Sequence, residues 1–243
     1  GGRGRGRGRG DANRSAKILN SRIRESSSAR EILGVVRERH AEFDAINVST
    51  TSHRIAVSVA RGETISNDKD TIESLRLLMK VAERKAKQMD AQAVSNILWA
   101  LAKLAESGVD VDAKAVRAVS AETTRVAGEL RPQEVSMIMW ALAKLAESGM
   151  DVDATAVRTV SAETTRVAGE MEPQHVSNVL FALAKLAEKG VDVDVTAVRA
   201  VSAETTRVAG EMEPQHVSNV LFALAKLAEK GVDVDVTAVR AVS

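Results

Sequence analysis

Two sets of side chains in this sequence have the types and spacing to act on a polyanion. Arg3, Arg5, Arg7 and Arg9 alternate with glycine in the opening GGRGRGRGRG, and Arg76, Lys80, Arg84, Lys85 and Lys87 form a second cluster. A guanidinium pairs with phosphate as a planar fork and stacks on bases, while an ammonium acts as a mobile point charge, so both sets suit a phosphate backbone. The competing reading is a solvated tail for the first set and a solvated helix face for the second. A third set recurs further on. Trp99, Trp140, Phe181 and Phe222 are each followed four residues later by lysine, at Lys103, Lys144, Lys185 and Lys226. They form a candidate stacking column for single-stranded RNA. Alternatively, the aromatics fill the seam between neighbouring helices, which is preferred because equivalent helices of a repeat array must touch.

The inventory for catalysis is empty. Cysteine and tyrosine are absent, and no GxxxxGK[ST], HExxH or G-x-S-x-G occurs, so neither an enzyme nor a small-molecule substrate is expected. Without cysteine there is no disulfide or thiolate metal site. His40 and His53 lack a second ligand at metal spacing and read as surface or packing histidines. The Asp-Val-Asp pairs lack the further oxygens and turn glycine of a calcium loop, so capping accounts for them. No metal or cofactor is expected. Nor does any apolar run approach the roughly 20 residues of a membrane span.

The elements that must position these side chains are repeats. PQHVSNVLFALAKLAEKG at 173–190 recurs unchanged at 214–231, with relatives at 132–149 and 91–108, and the serines Ser95, Ser136, Ser177 and Ser218 stand 41 residues apart. The longer stretch 161–201 is identical to 202–242. A fixed period of this size predicts an all-α, right-handed α-solenoid of antiparallel helical hairpins. Asp112, Asp153, Asp194 and Asp235 are placed to cap the first helix of each hairpin, and Gly128, Gly169 and Gly210 to end it. Pro132, Pro173 and Pro214 open the second helices, and Gly108, Gly149, Gly190 and Gly231 close them. At 100° per residue, Val176, Val179, Leu180, Leu183, Leu186 and Ala187 form one apolar stripe, with Phe181 far from its centre beside Asn178 and Lys185.

Upstream of the clear repeats, residues 1–10 form an arginine/glycine arm with no apolar side chain to offset the entropy of ordering it. Residues 11–69 read as an N-terminal helical module, a diverged first repeat. Within it lie a short amphipathic segment marked by Ile18, Leu19 and Ile23, a helix capped by Ser28 and Glu31, and a third helix starting after Asn47. Asp70 and Glu73 are expected to cap the helix that carries the basic cluster. Residues 70–243 comprise the helical-hairpin repeats, the last one incomplete. Charge is uneven: the net +1 of the chain divides into +7 over residues 1–119 and −6 over 120–242.

VSNILWALAKL at 94–104 and PQEVSMIMWALAKL at 132–145 resemble the signature of octotricopeptide-repeat proteins and of the related repeats in FAST-kinase-like and RAP-domain proteins. The resemblance implies an α-solenoid that works on RNA in an organelle, with mitochondrion favoured over plastid, as a structural subunit of an organellar ribosome or another RNA–protein assembly. Its partners would be a structured or ribosomal RNA and other proteins of a large assembly, without direct membrane insertion. The alternative is a purely protein-binding scaffold or an accessory subunit of a membrane-protein complex. A base-by-base code needs side chains that vary between units, and two identical units can read only the same base twice. RNA contact is therefore expected in residues 1–119, with the acidic repeats as scaffold.

Overall fold

The computed structural model describes the backbone of residues 5–242 and the side chains of residues 14–242. Every regular element among the described residues is helical. The chain divides at Val119/Ser120 into two compact units, at the point where net charge changes sign.

The first unit holds α1 (Arg5–Glu25), α2 (Ala29–Arg39), α3 (Ala45–Ala60), α4 (Lys69–Lys85), α5 (Ala91–Glu106) and most of α6 (Ala113–Ala121). Helices α1, α3 and α5 lie in one row, with α3 between the other two, while α2 packs on α4 in a second layer. Arg3 lies outside the described residues, as do the side chains of Arg5, Arg7 and Arg9. Backbone helix begins at Arg5, inside the stretch expected to lack structure by itself. Gly6, Gly8 and Gly10 each disfavour a helix by about 1 kcal/mol. The packed part of α1 is therefore Ala16, Leu19 and Ile23, all buried. Ile18 departs from the expected stripe and is 61% exposed.

Capping chemistry corrects two helix starts. Asp44 caps α3, accepting from the Asn47 amide at 2.8 Å while the Asn47 side chain accepts from the Asp44 amide at 3.3 Å, so the helix starts before Asn47 rather than after it. The Asn47 amide group also donates to the Ala16 carbonyl at 3.0 Å, tying α3 to α1. Similarly α4 is capped by Asp68 and not by Asp70 or Glu73. The Ser66 hydroxyl and the Thr71 backbone amide hold the Asp68 carboxyl at about 2.

The second unit holds α7 (Thr123–Val126), α8 (Pro132–Glu147), α9 (Ala154–Val167), α10 (Pro173–Glu188), α11 (Val195–Val208), α12 (Pro214–Glu229) and α13 (Val236–Val242). Helices α8, α10 and α12 stand side by side in one layer, and α9, α11 and α13 in the other. The proline of each second helix occupies the first turn, where its missing N–H costs nothing. On α10, Val176, Val179, Leu180, Leu183 and Leu186 are fully buried, as the stripe predicts. Ala182 and Ala184 are buried as well, because α8 and α12 approach from both sides. At about 1.5–3 kcal/mol for each large aliphatic side chain, this stripe dominates the stability of the helix. Arginines tie successive hairpins together: Arg166 donates to the Leu130 carbonyl and Arg207 to the Met171 carbonyl, while each also pairs with a glutamate three residues earlier.

The two expected sets of terminal glycines differ. Gly108, Gly149, Gly190 and Gly231 have φ of 82°, 82°, 77° and 77°, the left-handed conformation that closes a helix. Gly128, Gly169 and Gly210 instead sit inside a short 3-10 turn with negative φ, so they do not end the first helices through glycine geometry. A Cβ at Gly169 would meet nothing within 4 Å. Gly169→Ala should therefore stabilise the protein by about 0.4–1 kcal/mol through the unfolded state, whereas Gly190→Ala should destabilise it by about 1–2 kcal/mol. Urea titrations of the two variants check this difference in sign.

Candidate nucleic-acid interface

Helix α4 forms because Leu75, Leu78, Met79 and Ala82 recur at helical spacing and are buried against the rest of the first unit. The opposite face is left to the cations. Arg76, Lys80, Arg84 and Lys87 are exposed and Lys85 is half-buried. Successive members of Arg76, Lys80 and Arg84 stand one turn apart, about 6 Å along the axis. Among the described residues none of the five has a carboxylate partner, although Glu73 and Glu83 lie on the same helix. Like charges at this spacing oppose the helix by a few tenths of a kcal/mol per pair, roughly 0.2–0.5. The row thus holds its cations without close ion pairs, with Glu73 and Glu83 exposed on the same face.

A further cationic face escaped the sequence reading. Arg14, Lys17 and Arg24 are exposed on α1 and have no carboxylate partner among the described residues. The missed signal was their helical spacing, 0, +3 and +10, continuing directly from the arginine/glycine arm. Lys17 and Arg24 also border a cavity of about 290 Å³, together with Asn20 and Asp44. Arg22, by contrast, pairs with Glu38 at 2.9 Å.

The lysines of the repeat column are in a different electrostatic state. Lys103, Lys144, Lys185 and Lys226 pair with Glu106, Glu147, Glu188 and Glu229, three residues on, at 3.0, 2.9, 2.9 and 2.8 Å. Lys185 also reaches Glu147 on the neighbouring helix at 3.4 Å. Burial alone would raise the Glu147 carboxyl, but Lys144 and Lys185 together outweigh it and hold the group below the usual carboxylate range. In the second unit the Phe181 and Phe222 rings meet across α10 and α12, centroids 5.8 Å apart. The Lys185 ammonium stands 5.6 Å from the first ring and 4.7 Å from the second, and Lys144 stands 5.4 Å from Phe181. In the first unit Trp99 meets His53 at 5.2 Å and Lys103 at 6.0 Å, and in the second unit Lys144 lies 5.9 Å from Trp140. The aromatics and lysines are therefore brought together, with each named ring engaged by a cation or another ring. Of the remaining cations, Lys189 and Lys230 sit at the C-caps of α10 and α12, where the helix dipole favours them.

The histidines serve packing and capping. His40 Nδ1 lies 3.1 Å from the Val36 carbonyl, and burial lowers the pKa of His53 beside Trp99. Nδ1 of His175 and of His216 accepts the backbone N–H of Glu172 and Glu213 at 3.2 Å, closing the first turns of α10 and α12. No group of three histidine, aspartate or glutamate side chains suited to a metal occurs among the described residues. No described helix is long and apolar enough to cross a membrane.

No protein-family model and no curated protein matches this chain. Its surface chemistry therefore carries the functional reading.

Two outcomes follow for the column. Lys185 links two helices and two rings with a side chain only 19% exposed, whereas Lys226, in identical sequence, pairs with Glu229 on its own helix and is 31% exposed. Lys185→Ala should lower stability by about 1 kcal/mol and Lys226→Ala by clearly less, read from denaturant midpoints. The pKa of His175 is lowered from 6.5 chiefly by burial, against the opposing pull of Glu172 and Glu134. The unfolded chain then takes up the proton first, so this contribution is complete above about 6.5 and is lost as pH falls through the lower folded-state value. Melts from pH 7.5 to 5 should show falling stability, and His175→Gln, which retains a capping acceptor, should reduce the fall.

Proposed function

We propose that this chain is an RNA-associated helical-repeat protein of the octotricopeptide-like kind, a structural subunit of an organellar ribosome or another organellar RNA–protein assembly. In this reading the hairpins continue the 41-residue period as a right-handed solenoid. The basic first unit lies on RNA and the acidic second unit contacts protein. The observation that carries it is the contrast between the two sets of cations. Arg76, Lys80, Arg84, Lys85 and Lys87 stand without carboxylate partners among the described residues, while Lys103, Lys144, Lys185 and Lys226 are each neutralised by a glutamate. A row without close ion pairs can exchange its counterions for phosphates, and a neutralised lysine must first give up a partner.

The arm at Arg3, Arg5, Arg7 and Arg9 extends this basic surface in sequence, and Arg14, Lys17 and Arg24 join it to α1. No aromatic side chain interrupts the α4 row, which favours contact with phosphate over base reading. A second reading, a protein-only scaffold or accessory subunit of a membrane-protein complex, is favoured by the net −6 of residues 120–242 and by their two identical units.

Filter binding to single-stranded and structured RNA across a salt series separates the two. Each phosphate contact contributes a slope of about −0.7 on single strands or −0.9 on duplex in log affinity against log salt. Replacing Arg76, Lys80, Arg84 and Lys87 by Gln should flatten the slope by up to about four contacts, as should deletion of residues 1–10. Lys185→Gln should leave the slope unchanged. A slope that responds to Lys185 and Lys226 and not to α4 or the arm would overturn the assignment, and no measurable RNA affinity would favour the protein-only reading.

A further inference from the structure

The linker between α3 and α4 is two residues longer than the equivalent linkers that follow. Gly62, which closes α3, stands six residues before the capping Asp68, whereas Gly108, Gly149, Gly190 and Gly231 stand four before Asp112, Asp153, Asp194 and Asp235. The longer linker, with the turn after α5, lines a cavity of about 540 Å³ within the first unit. Sites for small ligands span roughly 300–1,000 Å³. Its apolar lining comes from every element around it: Val59 of α3, Ile65 of the linker, Ile72 and Leu75 of α4, and Val109 after α5. Leu75 is buried, but the other four are only half-buried, so apolar surface remains for an occupant to cover.

Two charged side chains on this cavity are unpaired. Arg76 lines it from α4 and Asp110 from the turn after α5, and both are exposed. Neither makes an ion pair or a side-chain hydrogen bond among the described residues, with each other or, for Arg76, with Glu73. In the second unit Arg199 and Asp233, also 34 residues apart, meet at 2.8 Å, whereas Arg158 and Asp192 make no close pair among the described residues. Closure is thus an option at these positions and not a fixture. Glu63, the other carboxylate on the lining, is committed to the start of α2, where it accepts the Ala29 amide at 2.8 and 3.1 Å. An occupant therefore meets one anion receptor and one acceptor-only carboxylate around an apolar interior. It must carry an anionic group, N–H donors and an apolar body.

A small zwitterion of that description would use Arg76 alone. Lys80 and Arg84 follow Arg76 along α4 at about 6 Å per step, so the cations continue away from the cavity and suit an anion that also continues. A nucleotide within a strand has this form: phosphates in series, and a base with apolar faces and donors on its edge. Building on the RNA reading above, we infer that this cavity receives one unpaired nucleotide of a structured RNA, its base inside and its flanking phosphates on Arg76 and Lys80. Guanine suits the site best, because its N1–H and N2–H₂ present two adjacent donors to the Asp110 carboxylate. Uracil offers one N–H between two carbonyls. The α4 row supplies the phosphate contacts and the cavity selects the extruded base.

The test compares an RNA duplex with the same duplex carrying one bulged guanosine, each titrated with the full chain at fixed salt. The bulged duplex should bind several-fold tighter. Val109→Trp, which fills the cavity, should abolish that preference without changing affinity for the paired duplex. Asp110→Ala should weaken binding of the bulged guanosine roughly tenfold, the weight of one bidentate contact, and bring it level with bulged uridine. A second measurement needs no variant: guanosine monophosphate should shift the amide resonances of 62–67 and 107–110, and ribose 5-phosphate should leave them in place. Equal affinity for paired and bulged duplexes, with a salt slope that still responds to α4, would leave the RNA reading standing and overturn the nucleotide cavity. Equal shifts from the two phosphates would show capture of phosphate without a base and overturn it as well. No affinity for either duplex would overturn both readings.

Discussion

Lateral contact between neighbouring second helices is the constraint on which the rest of the second unit depends. Helices α8, α10 and α12 lie side by side, and the small buried side chains of Ser177, Ala182 and Ala184 on α10 permit the close approach. In such an array each helix touches only its immediate neighbours, so stability builds up as a sum of similar interfaces. The polar contacts in the seams, Asn219 to Ser177 and Lys185 to Glu147, add little energy but fix how one helix lies along the next. Gly190 and Gly231 then turn the chain after each second helix, and Asp194 and Asp235 start the next.

The two sets of cations differ in their pairing in a way that packing alone does not demand. In the repeat column each lysine is matched to a glutamate three residues later, and Lys103, Lys144 and Lys185 also stand over aromatic rings. On α4 the row of cations makes no close ion pair among the described residues, and nothing in the burial of Leu75, Leu78 and Met79 requires lysine or arginine on the opposite face. Glutamine or alanine would serve that helix as well or better, since both are good helix formers without mutual repulsion.

The fold was legible wherever one residue type had one physical role. Proline at the first turn, aspartate before the first helix, and the stripe from Val176 to Leu186 all translate directly into structure. Legibility failed where two neighbours compete for the same role. Asp68 and Asp70 are both plausible caps, and Ser66 decides between them by hydrogen bonding to the first. Gly128, Gly169 and Gly210 resemble terminal glycines, yet the 3-10 turn that holds them needs no positive φ. At the candidate site, the cations were readable as residues, but their pairing was not. That Lys185 is neutralised and Lys80 is not depends on which carboxylates the packing brings near. The face formed by Arg14, Lys17 and Arg24 went unseen because the glycine-rich arm drew the helix boundary too late.

Identical tandem units also affect the order of folding events. When 214–229 collapses, the surface of α8 that receives α10 is chemically equally able to receive α12, because the two helices have one sequence. Skipping a unit in this way would loop out 41 residues and satisfy the same local contacts. The closure entropy of such a loop, about 3 kcal/mol from (3/2)RT ln n, together with the interfaces forgone, makes the skipped arrangement a minority species at equilibrium. It remains a kinetic competitor, since loop closure over tens of residues is fast compared with the assembly of a whole unit. Refolding of the second unit should accordingly pass through a slow, register-correcting phase that vanishes when the two copies are made different in sequence.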